Sequence, residues 1–391
     1  MERSLERKQV REEAILREGV SDDVLEWILG RVVAPKDVDG FGRMSSGYSG
    51  AIVARVDVNT AHFPYIVKID ERESVDRERR NRIRIRGLHN RHLPAVIDTR
   101  QLSVGISAIV YEPVNWRQTI VPFREFYRDN NNIKVCQLLG KMLGELTDCW
   151  YRYQEANSLR LSESGYQIGI KEKAEILNTI DGLEKSCSLY LNSWGKECII
   201  NLRRFLNRKP IRGKDLWQTQ MEHRECLVHG DLNSSNFFVD VFDESLETWF
   251  LIDFAHTEPA HYLMDFAKLE AEIKFFLMDN WIADNLNPKR IRLWIEFENS
   301  LKSVAFGSTP EFPNRRGSSD VRKAYTVISR IRSLAANVTD FNEIDYYIAL
   351  LYHTLMALRY SQEFRNVIRI RKIFSLYCAN LLLDKLMHLC P

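Results

Sequence analysis

The chain has no C-x-x-C pair, no apolar segment long enough for a bilayer and hardly any net charge. Its seven cysteines, at 136, 149, 187, 198, 226, 378 and 390, are odd in number and scattered. That excludes a disulfide framework or a cysteine zinc site and leaves thiols packed as small hydrophobes. The longest charge-free apolar stretch, 346–358, holds 13 residues, short of the roughly 20 that a spanning helix needs. It reads as a buried core helix, and no membrane span is expected. Lys+Arg 55 against Asp+Glu 53 gives a formal net charge of +2, so no global field gathers nucleic acid or anionic lipid; only a local patch would. The N-terminus, MERSLERKQVREEAILREG, is charged throughout and has no apolar run before a cleavage site. Export is not expected, and a reducing, cytoplasmic setting is.

What is present is enough to fold. With 391 residues, 45% of them hydrophobic and 28% charged, the chain supplies cores for two or three packed units, which excludes disorder, collagen and a small disulfide scaffold. Residues 1–38 alternate charges around periodic apolar positions and read as a helical extension. From 39 the pattern turns to strands: AIVARVDV and YIVKID are alternating, β-branched runs, and LPAVIDTRQL and SAIVYEPV follow a charged helix. A small sheet with one helix is expected over 39–115. Beyond it, Val135, Leu138, Leu139, Met142, Leu143 and Leu146 recur at helical spacing and open a mainly helical part, 116–391. Tyr346, Tyr347, Leu350, Leu351, Leu355 and Leu358 read as core in the same way. The loop at 308–320, rich in Pro, Gly and Ser, interrupts that part.

One β-like island stands within the helical part: CLVHGDLNSSNFFVD, then TWFLIDFAHT. Asp231 and Asn236 fall on one tight loop between apolar strands, and Asp253 ends the strand that follows. A carboxylate to take or orient a hydroxyl proton, with an Asp and an Asn to hold Mg²⁺, is the set that phosphoryl transfer from a nucleotide requires. Lys68, ending the strand YIVKID, supplies a cation for the phosphates, as in the V-A-I-K pattern. Glu78 on the next helix, or Glu73 in its place, would hold that lysine. Ser46, Gly47, Tyr48 and Ser49 lie in a turn that would fold over the phosphates with backbone N–H groups and hydroxyls.

H-G-D-L-N-S-S-N followed by I-D-F, with upstream GYSGAIVARV and YIVKID, resembles the aminoglycoside phosphotransferase and choline kinase superfamily, relatives of the protein kinases. The resemblance spans roughly residues 40–390. It implies an α+β, bilobal protein-kinase-like fold with a small β-rich N-lobe and a mainly helical C-lobe. It implies ATP and Mg²⁺, with Asp231 as catalytic base, Asn236 and Asp253 on the metal, and Lys68 on the phosphates, anchored by Glu78. Tyr111, Glu112 and Val114 would belong to the hinge that receives adenine, His229 would brace the loop, and Asp265 would hold the loop's backbone. The narrower likeness is to a bacterial branch serving signalling or conflict systems. Three features depart from the pattern: Asn233 stands where the commonest antibiotic-kinase loop has His, the phosphate turn lacks G-x-G-x-x-G, and the metal motif reads D-F-A.

The activity expected is transfer of the γ-phosphate of ATP to a hydroxyl of a small-molecule or macromolecular acceptor. The alternatives are a non-catalytic binding or signalling module on the same fold, and nucleotidyl transfer. The helix over 72–91 carries arginines at 72, 77, 79, 80, 82, 84, 86 and 91. These read as a solvated face or, alternatively, as a patch for a phosphorylated or nucleic-acid partner. Glu258, Glu270, Glu272, Asp279 and Asp284 read as ordinary surface charge, with a face for a cationic substrate as the alternative.

Overall fold

A computed structural model describes residues 38–44, 51–58, 65–85, 92–112, 120–151, 156–186, 193–241, 243–278, 288–308, 312, 319–359 and 365–390. Residues 1–37 of the helical extension expected over 1–38, the phosphate turn Ser46, Gly47, Tyr48 and Ser49, the hinge residue Val114, most of the loop expected at 308–320, and Arg86, Arg91, Asp279 and Asp284 lie outside these residues, and Val38 itself begins a strand.

The elements follow in chain order. Strands β1 (Val38–Met44), β2 (Ile52–Val58) and β3 (Tyr65–Glu71) lead into helix α1 (Arg72–Arg84), then β4 (Ala95–Gln101), β5 (Ile106–Glu112) and β6 (Ile120–Pro122). Next come α2 (Asn132–Cys149), β7 (Ala156–Arg160), α3 (Ile170–Ser186), α4 (Ser193–Leu206) and β8 (Gln220–Val228). Short strands β9 (Phe237–Asp240), β10 (Trp249–Leu251) and β11 (Glu258–His261) follow. The chain then continues through α5 (Met264–Glu272), α6 (Pro288–Ser303), α7 (Ser319–Ala336), α8 (Glu343–Ala357) and α9 (Arg365–Leu389). The fold is α+β, a small β region with a helical remainder. Among the described residues no helix is long and apolar enough to cross a membrane.

Two compact units divide the chain. The first takes the described residues up to Phe126 together with His229–Glu258, and the second takes Tyr127–Val228 with the residues from Pro259 onward.

In the first unit β1-β2-β3-β5-β4 form an antiparallel sheet. β3 and β5 read as near-continuous apolar runs because both of their faces are covered: Ile66, Val67 and Ile69, and Ala108, Ile109 and Val110, are all buried. β6, β9 and β10 make a second, three-stranded antiparallel sheet in the order β10-β9-β6. His92 stacks on Trp249 with ring centroids 3.8 Å apart and bonds its carbonyl at 2.7 Å, tying the residues before β4 to β10.

In the second unit α2 starts at Asn131, whose side chain accepts the Lys134 N–H at 2.9 Å, satisfying one donor that a helix start leaves open. The stripe from Val135 to Leu146 is fully buried, and α2 packs against α7. α8 buries Tyr346, Tyr347, Leu350, Leu351, Leu355 and the following Leu358. Asp265 is buried and accepts the Tyr151 hydroxyl at 2.8 Å.

The acids after β10 need a correction. Glu258 is exposed, but Glu270 and Glu272 are buried. Glu270 accepts both Nε and Nη2 of Arg332, at 2.8 and 2.7 Å, and the Tyr346 hydroxyl at 2.7 Å. Lys274, in the π-helical turn Ile273–Leu277, lies 2.8 Å from Glu270 and 3.2 Å from Glu298. Burial pushes the Glu270 carboxyl up, but Arg332 and Lys274 outweigh it and hold it down at about 2. A charge enters this core because its partners are buried with it.

Candidate active site

Lys68 sits on β3 opposite Ile109 of β5 and Val53 of β2. Alternation along the strand puts Ile66, Lys68 and Asp70 on one face. The lysine is only 1% exposed, so its ammonium must find partners in the fold. It has three: Asp253 Oδ1 at 2.6 Å, Glu78 Oε2 at 3.0 Å and Asp70 Oδ2 at 3.5 Å.

Glu78 lies on the inward face of α1. Val75 and Glu78 are buried, and Asn81 and Arg82 are half-buried one turn on, while Arg77, Arg79, Arg80 and Arg84 are exposed. Glu73 is exposed as well, so the lysine's helix partner is Glu78. Its carboxylate also accepts the Tyr111 hydroxyl and, at 3.1 Å, the Phe254 N–H. One side chain thereby joins α1, β3, β5 and the turn after Asp253. Asn81 strengthens that link, donating to the Phe254 and Ala255 carbonyls at 2.9 and 3.3 Å. Arg82 is spent on the carbonyls of Leu93 and Pro94, and Arg72 lies 3.6 Å from Asp76.

One ammonium among three carboxylates sets the electrostatics. Burial alone would lower the Lys68 pKa, but Asp253, then Glu78 and Asp70, hold it above its usual value. Burial pushes the Glu78 carboxyl up to about 7 against the pull of Lys68, because Asp253 competes for the same cation. The surrounding negative charge holds Lys68 up, whereas for Glu78 burial is the larger cause.

The loop after β8 is held from several sides. His229 is buried and its Nε2 donates to the Ile252 carbonyl at 2.9 Å. Thr257 Oγ1 donates to the His229 carbonyl at 3.2 Å. Gly230 adopts φ +79°, and a Cβ there would lie 2.2 Å from the His256 carbonyl oxygen, so only glycine fits. Asp231 Oδ2 accepts Nδ2 of Asn233 at 3.0 Å and Nδ2 of Asn236 at 3.2 Å. Asn236 Nδ2 also reaches the Asp231 carbonyl at 3.0 Å. The Ile252 N–H donates to the Asn236 carbonyl at 3.0 Å, which brings Asn236 beside the residue preceding Asp253. Asp253 itself is left-handed, φ +66° and ψ +64°, a conformation unusual for a residue with a Cβ and concentrated at functional sites. Contacts thus run unbroken from Asp231 through Asn236 and the 252–253 step to Lys68 and Glu78.

The Tyr111 side chain has its own attachment. It lies inside β5, between Ile66 of β3 and Val96 of β4, with its hydroxyl on Glu78. Glu112 ends the strand and is exposed. Sequence reasoning gave no part to Asp70, Asn81 or the Tyr111 hydroxyl. The signals were there for two of them: Asp70 is two residues from Lys68 on a strand, and Asn81 is three from Glu78 on a helix.

Among the described residues no three His, Cys, Asp or Glu side chains cluster as a metal site. Mg²⁺ does not need such a cage, because it keeps waters and takes phosphate oxygens alongside one or two protein ligands. The Asn236 amide turns its N–H groups to Asp231, leaving its oxygen as the donor for a hard cation. With the carboxylate of Asp253 this makes a donor pair of the required kind, and the residues fit the ion.

A family model described as "Ternary complex associated domain 9" matches residues 205–359. A search of curated proteins found no match. Among solved structures, a Plasmodium vivax ethanolamine kinase is 14% identical over 97% of this chain and 94% of its own, with a TM-score of 0.43. The ADP-bound aminoglycoside phosphotransferase APH(2'')-Ib is 13% identical over 93% and 99%, with a TM-score of 0.42. A thermostable mutant of aminoglycoside phosphotransferase APH(4)-Ia, in a ternary complex with AMP-PNP and hygromycin B, is 14% identical over 88% and 100%, with a TM-score of 0.37. These likenesses are loose, and the chemistry of the site rests on the chain's own residues.

Proposed function

We propose that the protein is an ATP- and Mg²⁺-dependent phosphotransferase that moves the γ-phosphoryl group to a hydroxyl acceptor. The observation that carries this reading is the buried Lys68, paired at once with Glu78 and with the left-handed Asp253, in a unit that also holds the Asp231–Asn236 loop. Lys68, fixed by Glu78, offers its ammonium to the phosphates of ATP. Asn236 and Asp253 hold Mg²⁺, which when bound neutralises charge on those phosphates. Asp231 takes the proton of the acceptor hydroxyl as that oxygen bonds to the γ-phosphorus. The bond from phosphorus to the β–γ bridging oxygen breaks, and ADP leaves with its electron pair. Catalysis on this account is positioning plus charge neutralisation.

Backbone groups of Tyr111, Glu112 and Val114 would receive adenine, while the Tyr111 hydroxyl holds Glu78. A phosphorylated or nucleic-acid partner at α1 would meet the exposed Arg77, Arg79, Arg80 and Arg84, and its binding would weaken with salt. We place the reaction in the cytoplasm, a setting supported by six described cysteines that are all free thiols.

The test is label transfer from γ-labelled ATP into fractionated cell extract. The parent is expected to label a component with phosphate, and Asp231→Ala and Asp253→Ala are expected to label none. Transfer of AMP from α-labelled ATP would indicate nucleotidyl transfer. Equal transfer by all three proteins would remove Asp231 and Asp253 from the chemistry.

A further inference from the structure

We propose that Asn233 is a positioning residue that fixes the carboxylate of Asp231 for proton transfer, an inference that rests on the phosphotransferase reading above. The residue is buried, at 3% exposure, and each end of its amide has its own task. Oδ1 accepts the N–H of Ser235 at 2.8 Å and of Asn236 at 3.2 Å, closing the turn as Asn side chains do in loops. Nδ2 donates to Asp231 Oδ2 at 3.0 Å. Two amides, those of Asn233 and Asn236, therefore converge on one oxygen of the carboxylate and set its rotation. Asn236 is committed to the metal in this reading, so of these two amides Asn233 is the one whose work on Asp231 is separable.

The two tasks come apart by substitution. Asn233→Asp keeps an oxygen acceptor for the Ser235 and Asn236 N–H groups but has no N–H for Asp231 and sets a second carboxylate beside it. Asn233→Ala removes the turn closure as well. Misplacing a reacting group by about 1 Å can cost about 100-fold in rate, so Asn233→Asp is expected to lower kcat by roughly 10- to 100-fold. Because Lys68 and Asp253 are untouched, its KM for Mg·ATP is expected to stay within a factor of about 2, while the buried carboxylate set beside Asp231 lowers its melting temperature. Asn233→Ala is expected to lose kcat and also several degrees of melting temperature, showing the structural task separately.

The experiment is ADP release from Mg·ATP, with water as acceptor, by the full chain and both variants, alongside thermal melts. A drop in kcat at unchanged KM in Asn233→Asp, measured well below its melting temperature, supports the assignment. An active parent matched in kcat by Asn233→Asp overturns this inference alone and leaves the phosphotransferase reading standing. A parent that neither releases ADP with water as acceptor nor transfers label from γ-labelled ATP to any extract component overturns both. A purely structural Asn233 would show kcat returning to the parent's value at temperatures where the variant is fully folded.

Discussion

Lys68 Nζ lies 2.6 Å from Asp253 Oδ1, although the two residues are 185 positions apart in the chain. The pair joins the middle strand of the five-stranded sheet to the second residue after β10. Glu78 and Asp70 complete the set around the same ammonium. Replacing Lys68 by Met would leave three carboxylates without their cation, and breaking a buried ion pair from one side costs roughly 3–5 kcal/mol. Lys68→Met is therefore expected to lower stability to chemical denaturant by that order as well as to abolish turnover. Denaturant titration checks it, and an undiminished midpoint would show that the cluster bears no such strain.

Gly230 gives a sharper stereochemical test. An added methyl would sit 2.2 Å from the His256 carbonyl oxygen, at a φ of +79°. Neither the backbone oxygen nor the dihedral can relax cheaply, so Gly230→Ala is expected to cost more than about 2 kcal/mol and to displace Asp231. Thermal melts read the first effect and ADP release the second.

The Asn81 amide ties α1 to the Phe254 and Ala255 carbonyls. Asn81→Ala is expected to destabilise by about 1–2 kcal/mol and to raise the KM for Mg·ATP several-fold, because Glu78 and Asp253 would lose their common brace. Steady-state kinetics at varied Mg·ATP checks this. A variant with unchanged KM would show that Glu78 alone secures the turn.

Much of the candidate site is legible because its residues are grouped locally in the sequence. The spacing of His229, Asp231 and Asn236 between apolar runs, and of Lys68 at the end of one, needs no tertiary information. So does the Val135–Leu146 stripe, since helical periodicity alone determines which residues are buried. What was not legible depends on distant partners. Glu270 looks like surface charge until Arg332, 62 residues on, is found beside it. Tyr111 reads as a hinge residue, and nothing near it in the sequence shows that its hydroxyl lies on Glu78. Asn233 stood out only as a departure from a pattern, because the two ends of its amide act within a turn whose shape the sequence does not print.

The Glu270 cluster carries a pH signature. Its folded-state pKa, about 2, lies below the usual 4.5. The stability it contributes is therefore fully present above pH 4.5 and is lost as pH falls toward 2, on the order of 3 kcal/mol in all. Glu270→Gln cannot titrate in that window. The stability difference between parent and Glu270→Gln is expected to shrink steadily from pH 5 to pH 3 in urea titrations. A constant difference would mean that Arg332 and Lys274 do not depress the carboxyl.

The most direct measurement is isothermal titration calorimetry of Mg·ATP and of metal-free ATP into the full chain and into Asp253→Ala. The account predicts saturable Mg·ATP binding by the parent, far weaker binding without the metal, and no metal dependence in Asp253→Ala. Equal binding of ATP with and without Mg²⁺ by the parent, or no binding at all, would contradict it.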